Sequence, residues 1–292
     1  MVSRSTAYAL LVLTMALWGG AIVTARGVYD VVPPIALTFW RWSLAMVIML
    51  PFVWRKLPAF WADANRSLSV LLPLSCAMVV GTTVSVTAVN FTTAINATII
   101  NAAQAAITAL VAFFVLQERL VARQVFGIAL AFTGILIMVF RGDVSLLLGV
   151  EVNWGDVLML GAVVSWAFYA VGLHREEHLP SGDVLLFVIS VTGTVMLLPL
   201  YVLETVLWRG FVPSVRGLGG VIYLAVASTL LAVYFWNVAI RSVGASRAGV
   251  FVNLLPVFGA IFAMLFLGER LYAFHVIGAV FVFIGIVMAV RR

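Results

Sequence analysis

Apolar residues in this chain run on in long blocks, broken by short polar or Gly- and Pro-marked interruptions. A helix needs about 20 such residues to cross roughly 30 Å of hydrocarbon. Ten blocks approach that length: Tyr8–Ala25, Ile35–Trp54, Leu71–Asn90, Ala94–Leu116, Gln124–Phe140, Val157–Leu173, Val184–Leu203, Leu218–Ile240, Ala248–Leu267 and Ala273–Val290. The pattern predicts an all-α integral membrane protein with ten transmembrane helices. The first block follows Arg4 as a signal peptide would, but it contains Trp18 and lacks a small-residue cleavage site, so it is read as a membrane helix. The stretch "LPAFWADANRS" after the second block is predicted to be a short amphipathic connector.

The blocks repeat. At an offset of 151 residues, Glu118-Arg119-Leu120 falls on Glu269-Arg270-Leu271, Gly127 on Gly278, Gly134 on Gly285 and Arg141 on Arg292. The likeness extends to "LWGGAIV" around Trp18 against "SWAFYAV" around Trp166, and to "AVNFTTAINAT" against "AIRSVGASRAG". Five helices therefore form one unit, residues 1–142, and five more form the other, residues 143–292. Five is odd, so the second unit is threaded upside down, the arrangement in which secondary transporters place a site near the midplane between inverted halves. The paired glycines recur after seven residues on one helix face and predict close helix packing.

Composition agrees with the membrane reading: 64% of the 292 residues are hydrophobic and 10% charged, with a mean hydropathy of +1.19, whereas a soluble domain carries about 25% charged residues. The net charge of +6 is scattered among the interruptions and points to orientation, not to nucleic acid. Eleven basic residues fall on the side of the termini and five on the other, with Arg41 inside a span. That bias predicts both termini in the cytoplasm of a bacterial-type inner membrane. The single cysteine, Cys76, excludes an internal disulfide, and His174, His178 and His275 lack ligand spacing, so no metal or cofactor is expected.

Polar residues inside the spans mark the candidate path. Asn101, Gln104 and Thr108 share one face of the fourth span, Thr83, Thr87 and Asn90 one face of the third, and Tyr234, Asn237 and Arg241 one face of the eighth. Asn253 adds a polar group to the ninth span, where Pro256 is expected to free a backbone carbonyl. The competing reading is plain helix-to-helix hydrogen bonding, worth roughly 0.6 kcal/mol per contact. Trp18 and Trp166 lie in mid-span, with Tyr169 one turn beyond Trp166, and are read as cavity lining against a core-packing alternative. Trp40, Trp54, Trp154 and Trp208 lie near span ends as interfacial anchors. Arg41, between Trp40 and Trp42, is assigned a structural role, stacked on an indole, ahead of binding a substrate carboxylate. Glu118 and Glu269 fall on opposite faces, too far apart to share a substrate, and are expected to fix a helix turn or close a gate.

These motifs resemble a known family. "LWGG" in the first span, "FWRW" in the second, "GD" and "SWAFYA" at the sixth, and "ASRAGVFVNLLPVFGAIFAMLFLGERL" leading to the tenth are similar to the drug/metabolite transporter superfamily, in its ten-helix branch with two EamA-type domains. The resemblance covers the whole chain. It implies a basket of spans 1, 3, 4, 6, 8 and 9 around a central cavity, with 5 and 10 packed outside it, and most resembles the aromatic amino-acid exporters. Ala105 stands where the second half has Pro256, which predicts a fourth span straighter than the ninth.

The expected function is export of neutral or zwitterionic amino acids, large apolar and aromatic ones foremost, by alternating access. Every Asp and Glu lies at a span end or in a loop, so no membrane-embedded proton carrier is visible and uncoupled facilitated export is expected. Rival readings are an exporter of other metabolites or drugs, a nucleotide-sugar or phosphate exchanger, and an intramembrane lipid-modifying enzyme. The last would need a convergent acid–base, nucleophile or metal constellation, and the sequence offers none, so no enzymatic activity is expected. The partners are the small-molecule substrate and the lipid bilayer; a monomer is compatible with the sequence, which leaves the oligomeric state open.

Overall fold

The computed structural model describes residues 2–62, 64–117, 121–140, 153–175, 180–243 and 251–290, and among them every regular element is helical. In chain order these are α1 (Arg4–Gly27), α2 (Pro34–Val53), a short α3 (Leu57–Ala62), α4 (Ala64–Ala88), α5 (Ala94–Ala102), α6 (Gln104–Leu116), α7 (Ala122–Val139), α8 (Trp154–Arg175) and α9 (Gly182–Leu207). A rod follows, made of α10 (Val215–Ile222), a π-helical stretch Tyr223–Leu231 and α11 (Ala232–Val243). A 3-10 turn, Val252–Leu254, then leads into α12 (Leu255–Leu267), and α13 (Ala273–Val290) closes the chain. Among the described residues six helices are long and apolar enough to cross a membrane, and α5 with α6 makes a seventh if that bent pair is one span. The apolar parts of α7, α12 and α13 are shorter. The chain is an integral membrane protein.

Local chemistry sets the ends. Ser3 and Thr93 accept the N–H groups of Thr6 and Asn96 and so begin α1 and α5, and Ser214 does the same for α10 with Gly217. Pro33 and Pro34 open α2, where a missing N–H costs nothing. At corresponding places in the two halves, Gln117 (φ 56°) ends α6 and Gly268 (φ 66°) ends α12 in the left-handed conformation.

Two expectations about the broken spans need correction. The fourth span is not straight: α5 and α6 meet at 47°. No proline is required, because the N–H of Ala103 bonds back to Ile100 at 3.1 Å, a tightened turn that breaks the α-helical ladder. In the ninth span Pro256 sits in the first turn of α12, and the N–H of Leu255 takes the Val252 carbonyl that the proline was expected to leave free.

The principal helix faces join the first part of the chain to the second. α1 packs on the π stretch, α11 and α12; α2 on α9; α4 and α6 on α8; α5 on α12; α7 on α13. Small residues make these approaches possible. A Cβ on Gly134 would lie 2.5 Å from the Gly278 carbonyl oxygen, and one on Gly285 2.5 Å from that of Gly127. One on Gly19 would lie 2.9 Å from the backbone nitrogen of Gly259. The seven-residue glycine spacing thus does the packing expected of it. Gly134→Val should therefore lower thermal stability in detergent by about 1–3 kcal/mol, whereas Gly161→Ala, where a Cβ meets nothing within 4 Å, should leave the melting temperature almost unchanged.

Candidate functional site

The π-helical stretch carries buried polar contacts in the interior. A π turn widens the helix and displaces its carbonyls, which recurs at functional sites. Here two successive residues reach two different helices. The Ser228 carbonyl accepts the indole Nε1–H of Trp18 on α1 at 3.1 Å, and Thr229 Oγ1 accepts Nε–H of Arg41 on α2 at 2.8 Å. The Thr229 hydroxyl itself donates to the Leu224 carbonyl at 2.8 Å, five residues back, so its lone pairs face the guanidinium. Arg41 also lies over the Trp42 ring, 5.2 Å from its centroid. Trp18 leans on Trp236 of α11 with ring centroids 5.5 Å apart. Neither Ser228, Thr229 nor Trp236 stood out in the sequence. The available signal was a Ser–Thr pair in the middle of an apolar block.

The predicted cavity residues divide. Asn101, Gln104 and Thr108 are half-buried on either side of the α5–α6 break, and among the described residues none of the three side chains has a hydrogen-bond partner. By contrast, Thr83 and Thr87 of α4 donate to carbonyls of their own helix, Val79 at 2.7 Å and Thr83 at 2.9 Å. Trp166 is wedged against Gly81, where a Cβ would lie 2.9 Å from the indole, and its ring meets Tyr169 edge-on at 5.9 Å. Trp18 and Trp166 pack into different apolar clusters and are not brought together. Tyr234, 63% exposed, and Asn237 lie on the open side of α11. Glu118 lies outside the described residues, as do the side chains of Asn253 and Arg241.

Carboxylates cluster where helices start. Both oxygens of Glu269 accept N–H groups of α5, from Ala94 at 2.8 Å and Ile95 at 3.0 Å, because the left-handed turn at Gly268 swings the side chain beneath that helix. A carboxylate at the start of a helix suits the helix dipole. Glu204, near the end of α9, does the same for α2 through Ile35 and Ala36 at 3.0 and 2.7 Å. Asp156, in the first turn of α8 and only 1% exposed, accepts from the Thr92 hydroxyl and from Asn96 Nδ2 at 2.9 Å. Arg26 completes this end of the bundle by donating to the Val89 and Asn90 carbonyls at 2.8 and 3.1 Å, at the carbonyl-rich end of α4. At the opposite end Lys56 pairs with Asp183.

His275 is buried and accepts the Tyr272 N–H at 2.9 Å, and among the described residues no group of His, Cys, Asp and Glu could hold a metal. A groove of about 280 Å³ lies between α3, α4 and α9, lined by Leu57, Phe60, Leu72, Phe187 and Val195 among others. Its apolar lining does not suit polar cargo.

Among the described residues, the interior of this helical membrane bundle holds unpartnered neutral polar groups and the buried Arg41. The sequence matches the EamA-like transporter family over residues 5–140 and again over 153–291. The chain belongs to that family, within the drug/metabolite transporter superfamily. It is 27% identical to an "Uncharacterized transporter" of Archaeoglobus fulgidus over 99% of each chain. It is 24% identical to a "Probable amino-acid metabolite efflux pump" of Escherichia coli over 95% of this chain and 92% of that one. A solved crystal structure, 17% identical, shares the fold with a TM-score of 0.60, covering 99% of this chain and 97% of the other.

Proposed function

We propose that this chain exports neutral or zwitterionic amino acids, large apolar and aromatic ones foremost, from the cytoplasm across the inner membrane. The observation that carries the reading is the stripe Asn101, Gln104 and Thr108, half-buried at a break in a membrane helix and unpartnered among the described residues. Such groups offer donors and acceptors without charge, which suits a neutral cargo. The name of the Escherichia coli relative supports amino acids as the class. A phosphate or nucleotide-sugar exchanger would be expected to line its path with several cations.

Ten spans in two inverted halves are supported by the reciprocity of the contacts. Exchanging each of the first five spans with its counterpart turns the α1–α11 pair into α8–α4 and the α1–α12 pair into α8–α6, and leaves α2–α9 and α7–α13 as they are. Gly127 meets Gly285 while Gly134 meets Gly278, the crosswise pairing that a twofold relation in the membrane plane produces. The carboxylates Glu204, Glu269 and Asp156 are each engaged by helix N–H groups or side-chain donors, which supports uncoupled movement down the cargo's own gradient.

The test is counterflow in vesicles loaded with each of the twenty amino acids. Labelled large neutral amino acids should enter and be recovered chemically unchanged, and an imposed pH gradient should drive no accumulation. Absence of counterflow for all twenty sinks the reading. For orientation, a cysteine replacing Val212 in a Cys76→Ser background should react with an impermeant reagent from outside intact cells, and one replacing Arg55 should not.

A further inference from the structure

Arg41 is the eighth residue of α2, about 10 Å along the helix from its start at a rise of 1.5 Å per residue. A charge at that depth is costly, and the usual escape is to extend along the helix toward water. Arg41 does not escape. It is 9% exposed, its Nε–H is tied sideways to Thr229, and its guanidinium is stacked on Trp42, itself fully buried. Among the described residues no carboxylate lies within ion-pair distance; the two ion pairs, Lys56–Asp183 and Arg216–Asp30, join exposed groups outside this region. Nor do Nη1 and Nη2 donate to any described residue. The fork of the guanidinium is thus held rigid from behind by a threonine on a π turn while its two outer nitrogens are left without acceptors. A planar fork of this kind matches a carboxylate in bidentate fashion.

We propose that Arg41 binds the carboxylate of the cargo, with Thr229 and Trp42 as its positioning residues. This rests on the export reading and sharpens it: recognition requires a carboxylic acid, and an amine lacking one is repelled. The role replaces the purely structural one expected for Arg41, because a structural cation would have its outer N–H groups met by the protein. Carboxylate is favoured over phosphate because a single guanidinium offers charge for one anion oxygen pair, not for a dianion.

The experiment reads Arg41 directly. Wild-type protein in detergent is treated with phenylglyoxal, and modification of Arg41 is followed by peptide mass spectrometry in the presence of L-phenylalanine, phenylacetate, phenethylamine or inorganic phosphate. L-phenylalanine and phenylacetate should slow modification about tenfold at saturation, as expected when a charge-assisted contact shields the group, and phenethylamine should not. In vesicles, Arg41→Lys should retain part of L-phenylalanine counterflow and Arg41→Gln should lose about tenfold or more. Protection by phosphate equal to that by phenylacetate overturns the carboxylate assignment. An Arg41 that does not react, or reacts equally with every addition, overturns the proposal even where counterflow is seen. Protection by carboxylates with no counterflow of any amino acid by the wild type leaves Arg41 as the carboxylate site and removes the amino-acid exporter reading instead.

Discussion

Asp156→Leu should lower the stability of the folded protein by roughly 2–3 kcal/mol, the largest loss expected of any single polar substitution here. The carboxylate holds the turn before α5 and the first turn of that helix against α8, through the Thr92 hydroxyl and Asn96 Nδ2. Leucine fills the volume but strands two donors in a site where Thr92 and Asn96 are themselves buried. Asp156→Asn should cost far less. Asn96 Oδ1 is buried without a hydrogen-bond partner, so a flip of the Asn96 amide lets Oδ1 accept an N–H of the new amide, whose own oxygen accepts from Thr92. Thermal unfolding in detergent separates the two variants. Equal losses would mean that the negative charge itself, and not the pattern of donors and acceptors, holds α5 to α8.

Gln104→Leu should reduce counterflow about five- to tenfold while leaving the melting temperature within a degree or two of wild type. The substitution shortens the side chain by one atom and removes one hydrogen-bonding amide, worth about 0.5–1.5 kcal/mol where water is excluded. Because Gln104 has no partner among the described residues, the folded state has little to lose. Val115→Leu, on an exposed part of the same helix, is the matched control and should change neither quantity. A fall in stability with unchanged flux would move Gln104 from the transport path to helix packing.

Much of this molecule could be read before its shape was known, and the parts that could not share a physical cause. The apolar blocks fell on the six or seven helices that are long and apolar enough to cross a membrane among the described residues. The glycines at 127, 134, 278 and 285 announced close packing because their spacing places them on one face. What periodicity could not convey was which helix each polar group meets. Thr229 is one hydroxyl in an apolar block until Arg41, 188 residues away in sequence, is seen beside it. Glu204 looked like an ordinary span-end carboxylate, and its partners are backbone N–H groups, which leave no mark in the sequence. The bend at Ala103 was missed for a related reason: a proline rule cannot detect a break made by a tightened turn.

The way the helices pair has a consequence for how the chain is made. α1 finds its main faces on the π stretch, α11 and α12, α2 on α9, α4 and α6 on α8, and α7 on α13. When the ribosome has finished α7, these helices are inserted but lack their main partners, and a stop there yields the equivalent of a lone subunit of an obligate dimer. The nascent first half must wait in lipid for the second. Truncation before α8 should therefore give an inserted product that is degraded rapidly, and supplying the second half as a separate polypeptide should rescue it.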